Sequence, residues 1–312
     1  ETLLAQAKLE KQQQRKKLDD EKKRKNELKR KIALYEDLVK NYGNQYKSQA
    51  WQALCSDFPL LTVGLKAGDL SALRQAASLY TVGDVWTDPA TGMEFAFVPG
   101  RCFQMGSNSA DQDEQPIHEV CLDAFWIGKY EVTQGQWKKI MGSNPSGFQS
   151  GDDYPVEQVF WNDAKKFISV LNQRSGNTFS LPTEAQWEYA ARSGGRNQTY
   201  AGGNNADNVA WYYSNSESKT HKVGTKSPNG LDIYDMSGNV GEWCEDVYDK
   251  KAYSRHSRNN PVMTSGESFR LGRGGSWSSN PRYVRAAYRR RYSADFRDSG
   301  MGFRLCLSRV RQ

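Results

Sequence analysis

The chain has 312 residues, of which 37% are apolar and 25% charged, and a mean hydropathy of −0.81. That is enough apolar material for a core with a polar appendage, and no apolar run approaches the roughly 18 residues a membrane-spanning helix needs. The net charge of +7 is segregated, with +6 in residues 1–50, −6 in 51–277 and +7 in 278–312, which excludes an evenly basic nucleic-acid-binding surface and makes nucleic acid an unlooked-for partner.

Residues 1–45 lack proline, carry a single glycine at 43 and are dense in Lys, Gln, Glu and Leu, a composition that predicts a long charged helix. With Leu4 at heptad position a, the seam is polar at Lys11, Gln14, Glu21 and Lys25 but unbroken from Leu28 through Ile32, Tyr35 and Val39 to Tyr42. Residues 1–27 therefore read as a solvated stalk, and the later part as a coiled coil or a helix packed on a partner. Residues 46–84 read as a short helical linker region, with Asp69 capping the segment Leu70 to Ala77. The chain opens at Glu1 without a signal-peptide pattern, from which removal of an upstream leader or anchor is expected.

Beyond this region the composition changes sharply. From residue 84 onward the chain holds 23 of its 27 glycines and eight of its nine tryptophans, and short strand-like runs such as Met93 to Val98 lie between Gly, Asn, Asp and Pro clusters. Three helices announce themselves. Thr133 with Gln136 forms a capping box that opens a helix stopping at Gly142. Asn162 is expected to cap a run ending near Gly176, and Thr183 with Gln186 is a second capping box, before Gly194-Gly195. Few helices amid many short strands and loops predict an α+β domain over 85–312, with much irregular backbone to satisfy.

The five cysteines (Cys55, Cys102, Cys121, Cys244, Cys306) show no CxxC spacing, and the three histidines (His118, His221, His256) are unpaired in sequence, so no His/Cys zinc or iron site is expected. Two disulfides or buried free thiols both remain open.

Six phrases resemble the formylglycine-generating enzyme (sulfatase-modifying factor) family, in the family's order over about 85–308. They are Phe97-Val98-Pro99-Gly100 with Met105-Gly106-Ser107; Lys129 to Thr133; Leu181-Pro182-Thr183-Glu184 through Ala190; Asn229-Gly230-Leu231 through Gly238-Asn239-Val240-Gly241-Glu242-Trp243; Arg273-Gly274-Gly275-Ser276-Trp277; and Gly302-Phe303-Arg304. The resemblance implies a C-type-lectin-like fold. The family's catalytic members place two copper-binding cysteines at the second and seventh residues after that last tryptophan, where this chain has Ser279 and Val284. Serine is a poor soft-metal ligand and valine none, so neither copper nor iron is expected and the domain is expected to be non-catalytic. An oxidoreductase with altered metal chemistry, and a module acting through its N-terminal helix, are the competing readings.

The stretch 278–300 resembles the variable region of diversity-generating-retroelement variable proteins, which use the same fold. Such regions derive from adenine-rich asparagine codons of the form NNC after mutation, which cannot encode Lys, Gln, Glu, Trp or Met. None of these five occurs among the 23 residues 278–300. Restoring Asn at 279, 283, 288, 290, 292, 293, 296, 298 and 299 gives a template whose constant arginines are Arg285, Arg289, Arg297 and Arg304. The composition reads as a binding face: Tyr283, Tyr288, Tyr292 and Phe296 supply stiff contact area, and Ser278, Ser279, Asn280, Ser293, Asp298 and Ser299 supply adaptable hydrogen bonds. Arg290 and Arg291 add planar donors suited to carboxylates. Strict strand alternation fails at Arg289-Arg290-Arg291. A protein ligand is expected on this face, with a homo-oligomeric or helical partner along residues 1–45 and an extracytoplasmic or cell-surface location.

The resemblance also implies a calcium site using Asp235 and Glu242 as carboxylates and Gly238 and Val240 as carbonyl donors, chemistry that suits a hard cation. The alternative for Glu242 is pairing with an arginine such as Arg285 or Arg304. For the cysteines, Cys102 and Cys121 flank a hairpin-like excursion, and Cys244 and Cys306 both lie at strand ends; these are the expected disulfide pairings, leaving Cys55 over.

Overall fold

Two capping boxes set the first and third helices where the spacing places them. The computed structural model describes residues 82–108, 111–266 and 268–307, so the helix expected over 1–45, and all but the last three residues of the helical linker region expected over 46–84, lie outside the described residues. Helix α1 (Gln134–Met141) starts where Thr133 Oγ1 accepts the Gln136 N–H at 3.3 Å and Gln136 Oε1 accepts the Thr133 N–H at 2.9 Å; it stops at Gly142, with φ of 79°. The same reciprocal pair, Thr183 and Gln186, opens α3 (Glu184–Ala191). Helix α2 (Trp161–Ser175) departs from expectation: Asn162 lies inside its first turn, and Asp163 Oδ2 accepts the Phe160 N–H at 3.2 Å instead. A short helix α4 (Ala206–Val209) completes the set among the described residues.

Among the described residues, eleven short strands form three sheets. Strands β1 (Val85–Thr87), β2 (Glu94–Val98), β5 (Phe125–Gly128), β6 (Phe179–Ser180) and β11 (Cys306–Leu307) make an antiparallel sheet in the order β1-β2-β5-β11-β6. The last strand thus inserts between early ones and closes the domain on itself. Strands β7 (Gly241–Val247), β8 (Phe269–Arg273), β9 (Arg290–Ser293) and β10 (Met301–Gly302) form a second sheet, ordered β10-β7-β8-β9, with β9 at its edge. Strands β3 (Cys102–Met105) and β4 (His118–Cys121) make a two-stranded hairpin whose long connection carries residues 106–117.

The core joins α3 to the sheets through Trp187, Tyr189, Phe125, Ile127, Met236 and Leu271, all essentially sealed from solvent. Trp243 is likewise sealed, and its Nε1 donates to the Val159 carbonyl at 3.0 Å, so the indole gains burial without losing its hydrogen bond. Among the described residues, no helix is long and apolar enough to cross a membrane.

Candidate ligand-binding face

Segment 278–300 leaves β8 through the Arg273-Gly274-Gly275-Ser276-Trp277 turn and returns as edge strand β9. Its shape is imposed by arginines that point inward. Arg285 forks onto Glu114 at 2.6 and 3.0 Å, and Arg289 onto Glu184 at 2.6 and 2.9 Å. Arg273, from β8, pairs with Glu188 and donates to the Ala287 and Tyr288 carbonyls at 2.7 and 2.6 Å. Arg289 also donates to the Asp113 carbonyl at 2.7 Å, and Arg282 pairs with Asp111, so the β3–β4 connection buttresses the segment at three points. Bidentate guanidinium–carboxylate pairs fix orientation as well as position. Trp277 closes the base, its Nε1 donating to the Ser299 carbonyl at 2.9 Å.

The break in alternation at Arg289-Arg290-Arg291 follows from this division: Arg289 is buried, whereas Arg290 and Arg291 are both exposed. Arg290 lies over the Tyr292 ring at 5.1 Å, Arg291 over Phe269 at 5.1 Å and Arg297 over Phe160 at 4.6 Å, so the outward guanidiniums rest on aromatic faces. Ser278, Asn280, Ser293 and Asp298 are exposed; Tyr283, Tyr288, Phe296 and Ser299 are half-buried. The Tyr283 and Tyr288 rings pack together at 5.0 Å.

Two members of the expected face are corrected. Ser279 is 8% exposed: its Oγ accepts the Ser276 N–H at 3.0 Å and its own N–H donates to the Ser276 carbonyl, so the hydroxyl closes a turn and is withheld from any visitor. Val284 is fully buried as well. Tyr292 is largely inside; its ring lies edge-on to Trp243 at 5.6 Å and stacks on Phe296 at 4.6 Å. It rests directly on Gly272, where a Cβ would come within 2.7 Å of the ring. Burial pushes the Tyr292 phenol up to about 12, against the opposing pull of Arg290.

Sequence reasoning missed Tyr213. Its side chain is the most open of the large apolar groups among the described residues, at 66% exposure, and its N–H donates to the Ser279 carbonyl at 3.0 Å. Asn215 makes its turn rigid, accepting the Tyr212 N–H at 2.9 Å and donating to the Ala210 carbonyl at 3.0 Å. The signal lay in Trp211-Tyr212-Tyr213, three aromatics in a polar loop.

The expected calcium donors gather around the Gly238–Trp243 phrase, but not as a free cage. Both Glu242 oxygens are committed: Arg304 forks onto them at 2.6 and 2.7 Å, and Trp187 Nε1 donates at 2.7 Å. This is the arginine pairing weighed against calcium. Asp235 Oδ2 accepts the Gly224 N–H at 2.6 Å, while its Oδ1 is buried without a partner. Burial raises Asp235 to about 6, Gly224 and Arg304 pulling the other way. Burial, helped by Asp235 and Glu242, lifts the neighbouring Glu131 well above the ordinary carboxylate range. Of the two expected carboxylates, Glu242 is thus taken up by Arg304 and Trp187, and Asp235 alone keeps an oxygen without a partner.

Of the expected disulfides, Cys102–Cys121 is formed, between directly opposed residues of β3 and β4. Cys244 and Cys306 are instead free buried thiols, because they sit on strands of different sheets, β7 and β11. Burial raises both thiols far above the ordinary value.

Beneath the face lies a buried charge network. Burial pushes Glu184 and Glu188 up, but the arginines outweigh it: Arg289 and Arg273 hold Glu184 below the ordinary carboxylate value, and Arg192 and Arg273 do so for Glu188. Asp246 lacks such a partner. It accepts only the Glu184 and Met263 N–H groups, each at 2.8 Å, and burial with the Glu184 charge lifts it to about 7. His118 Nδ1 lies 3.1 Å from the Pro116 carbonyl, so that nitrogen donates; its Nε2 lies 3.0 Å from His256 Nδ1. Burial holds His256 down at about 4 although Glu184 pulls it up.

This frame, closed by its own last strand and carrying an irregular C-terminal surface segment, defines the C-type-lectin-like class. The chain belongs to the family of the sulfatase-modifying factor enzyme 1-like domain, whose model matches residues 81–309. It is 33% identical to the chaperone protein LppX of Paenibacillus barcinonensis, over 69% of this chain and 90% of that one. It is 25% identical to the formylglycine-generating enzyme of Bos taurus, over 69% of this chain and 75% of the enzyme. Among solved structures, Treponema denticola variable protein 1 superposes with a TM-score of 0.64 at 29% identity, covering 72% of this chain and 99% of that one.

Proposed function

We propose that this protein is a ligand-binding variable protein, in which a diversity-generating retroelement renews a surface carried on a fixed lectin-like frame. One observation carries the reading: within 278–300, two of the three arginines that a template would keep constant, half-buried Arg285 and buried Arg289, are the clamps onto Glu114 and Glu184, and the third, Arg297, lies over the Phe160 ring. Of the nine positions read as adenine-derived, Ser279 is buried and Tyr292 is largely inside, while the other seven are exposed or half-buried. Variation at those seven would change the surface while the clamps keep the backbone, so that binding need not first order a loop. The likeness to Treponema denticola variable protein 1 supports this reading. The ligand is a protein, because the face is aromatic and basic, and Tyr213 enlarges it from outside the variable stretch. The Cys102–Cys121 disulfide supports an extracytoplasmic or cell-surface location. Calcium has no part in this reading.

The test is to sequence this gene from many sibling clones. Substitutions confined to adenine-derived codons within 278–300 are expected; uniform sequence across a population with an active retroelement would overturn the proposal. A second reading, supported by the likeness to the bovine enzyme, is an oxidoreductase with altered metal chemistry. It requires the purified protein to hold one equivalent of copper or iron and to consume oxygen with a thiol substrate.

A further inference from the structure

The hairpin β3–β4 carries on one face a set of side chains that the ligand-binding reading does not use. Cys102 and Cys121 are directly opposed across the two strands, and Glu119 stands two residues before Cys121 on the same face of β4. The two sulfurs and a Glu119 carboxylate oxygen lie within 4.8 Å of one another. Cys102 and Glu119 are exposed, so the group is open to solvent, while Cys121 is anchored beneath. Arg258 serves both sides: its Nε donates to Glu119 Oε1 at 2.7 Å, and its Nη2 lies 3.9 Å from Cys102 Sγ. A guanidinium beside a sulfur favours the thiolate once the disulfide is opened. The backbone under the group is pinned independently of the sulfur bond, with the Cys121 N–H donating to the Arg258 carbonyl at 2.7 Å and the Asn260 N–H to the Cys121 carbonyl at 2.8 Å.

We infer that, when its disulfide is reduced, this hairpin is a zinc site, with Cys102 and Cys121 as thiolate ligands, Glu119 as the carboxylate ligand and a fourth position left to water. A dithiol reductant passes two electrons to the disulfide, opening the Sγ–Sγ bond to two thiols and becoming a cyclic disulfide itself. Zinc then takes both sulfurs as thiolates and releases two protons, while Glu119 exchanges Arg258 for the metal. Two soft sulfurs and one oxygen on a rigid hairpin match the tetrahedral preference and ligand types of zinc, and an open fourth position is the pattern of sites that keep a water. Oxidised and zinc-loaded forms would each tie together the outer ends of the two strands, at the far end of the hairpin from the 106–117 connection that holds Arg282, Arg285 and Arg289. The hairpin would thereby keep its shape in oxidising and reducing surroundings alike.

The test uses the full chain carrying Cys55→Ser, fully reduced and freed of reductant, and zinc chloride titrated against a chromophoric chelator. One equivalent of zinc is expected to bind with release of two protons, and none to the oxidised protein. Cys102→Ser should abolish binding. Glu119→Gln should weaken it by at least the roughly 10–100-fold that even an outer-shell partner is worth, with circular dichroism unchanged. Absence of binding to the reduced, folded protein would overturn the site, as would equal binding by the Cys102→Ser/Cys121→Ser double variant. Undiminished affinity in Glu119→Gln would remove the carboxylate from it.

Discussion

Buried ionisable groups divide sharply by whether an arginine reaches them, and that division makes individual residues testable. Glu114 is fully buried and its carboxylate is paired with Arg285. Removing one partner from a buried pair leaves the other uncompensated, which costs about 3–5 kcal/mol; Arg285→Ala should therefore lower the unfolding free energy by about 3 kcal/mol in a urea titration. Asp246 and His256 act in opposite directions. Asp246 titrates near 7 in the fold against an ordinary 3.8, so the folded state keeps a proton that the unfolded chain gives up. Its stabilising contribution is complete below pH about 4 and is lost as pH rises toward 7, and Asp246→Asn should remove that decline, on the order of 4 kcal/mol. His256 titrates near 4 in the fold against 6.5, so the unfolded chain takes up a proton the fold refuses. Stability from this group is lost as pH falls from about 6.5 to 4, and His256→Gln should flatten that acid limb. Urea titrations at several pH values between 4 and 8 read both slopes; a slope unchanged by either substitution would refute the corresponding assignment.

At the scale of elements, β9 is an edge strand that carries both face and frame. Its exposed Arg290 and Arg291 place charge along an edge that would otherwise recruit another strand. Its Tyr292 does the opposite work, filling the space over Gly272 against Trp243. Tyr292→Ala should accordingly cost about 3 kcal/mol, as aromatic truncation in a packed site does, and Gly272→Ala about 1–3 kcal/mol by forcing the ring aside. Tyr213→Ala and Asn280→Ala, on open surface, should stay within about 0.5 kcal/mol while changing ligand binding. Thermal unfolding of the four variants separates frame from face; a large loss in Tyr213→Ala would place that ring in the frame.

For the molecule as a whole, the fold is held by contacts between distant parts of the chain. Arg285 and Glu114 are 171 residues apart, Arg304 and Glu242 62 apart, and the disulfide closes a separation of 19. Closing a loop of that length is worth about 3 kcal/mol against the unfolded chain, so reduction without zinc should lower stability by about that amount in a urea titration with and without reductant. A loss confined to that figure, with the fold retained, is the expected result; global unfolding would show that the buttress cannot stand without its staple.

Much of this was written locally in the chain. The capping boxes at Thr133 and Thr183 place two helices because a hydroxyl and an amide three residues apart satisfy each other's backbone partners wherever they occur. The family phrases and the missing residue types of 278–300 are likewise properties of order and composition alone. Three-dimensional packing decided the rest. Asn162 yielded the cap of α2 to Phe160 and Asp163; Ser279 and Tyr292 turned inward; and Glu242 met Arg304. Cys102 found Cys121 because strand register set them opposite, whereas Cys244 and Cys306 were parted by being dealt to different sheets. Local hydrogen bonding is legible over a few residues, but burial and charge pairing depend on which distant segments share a volume, and only the closed chain supplies that.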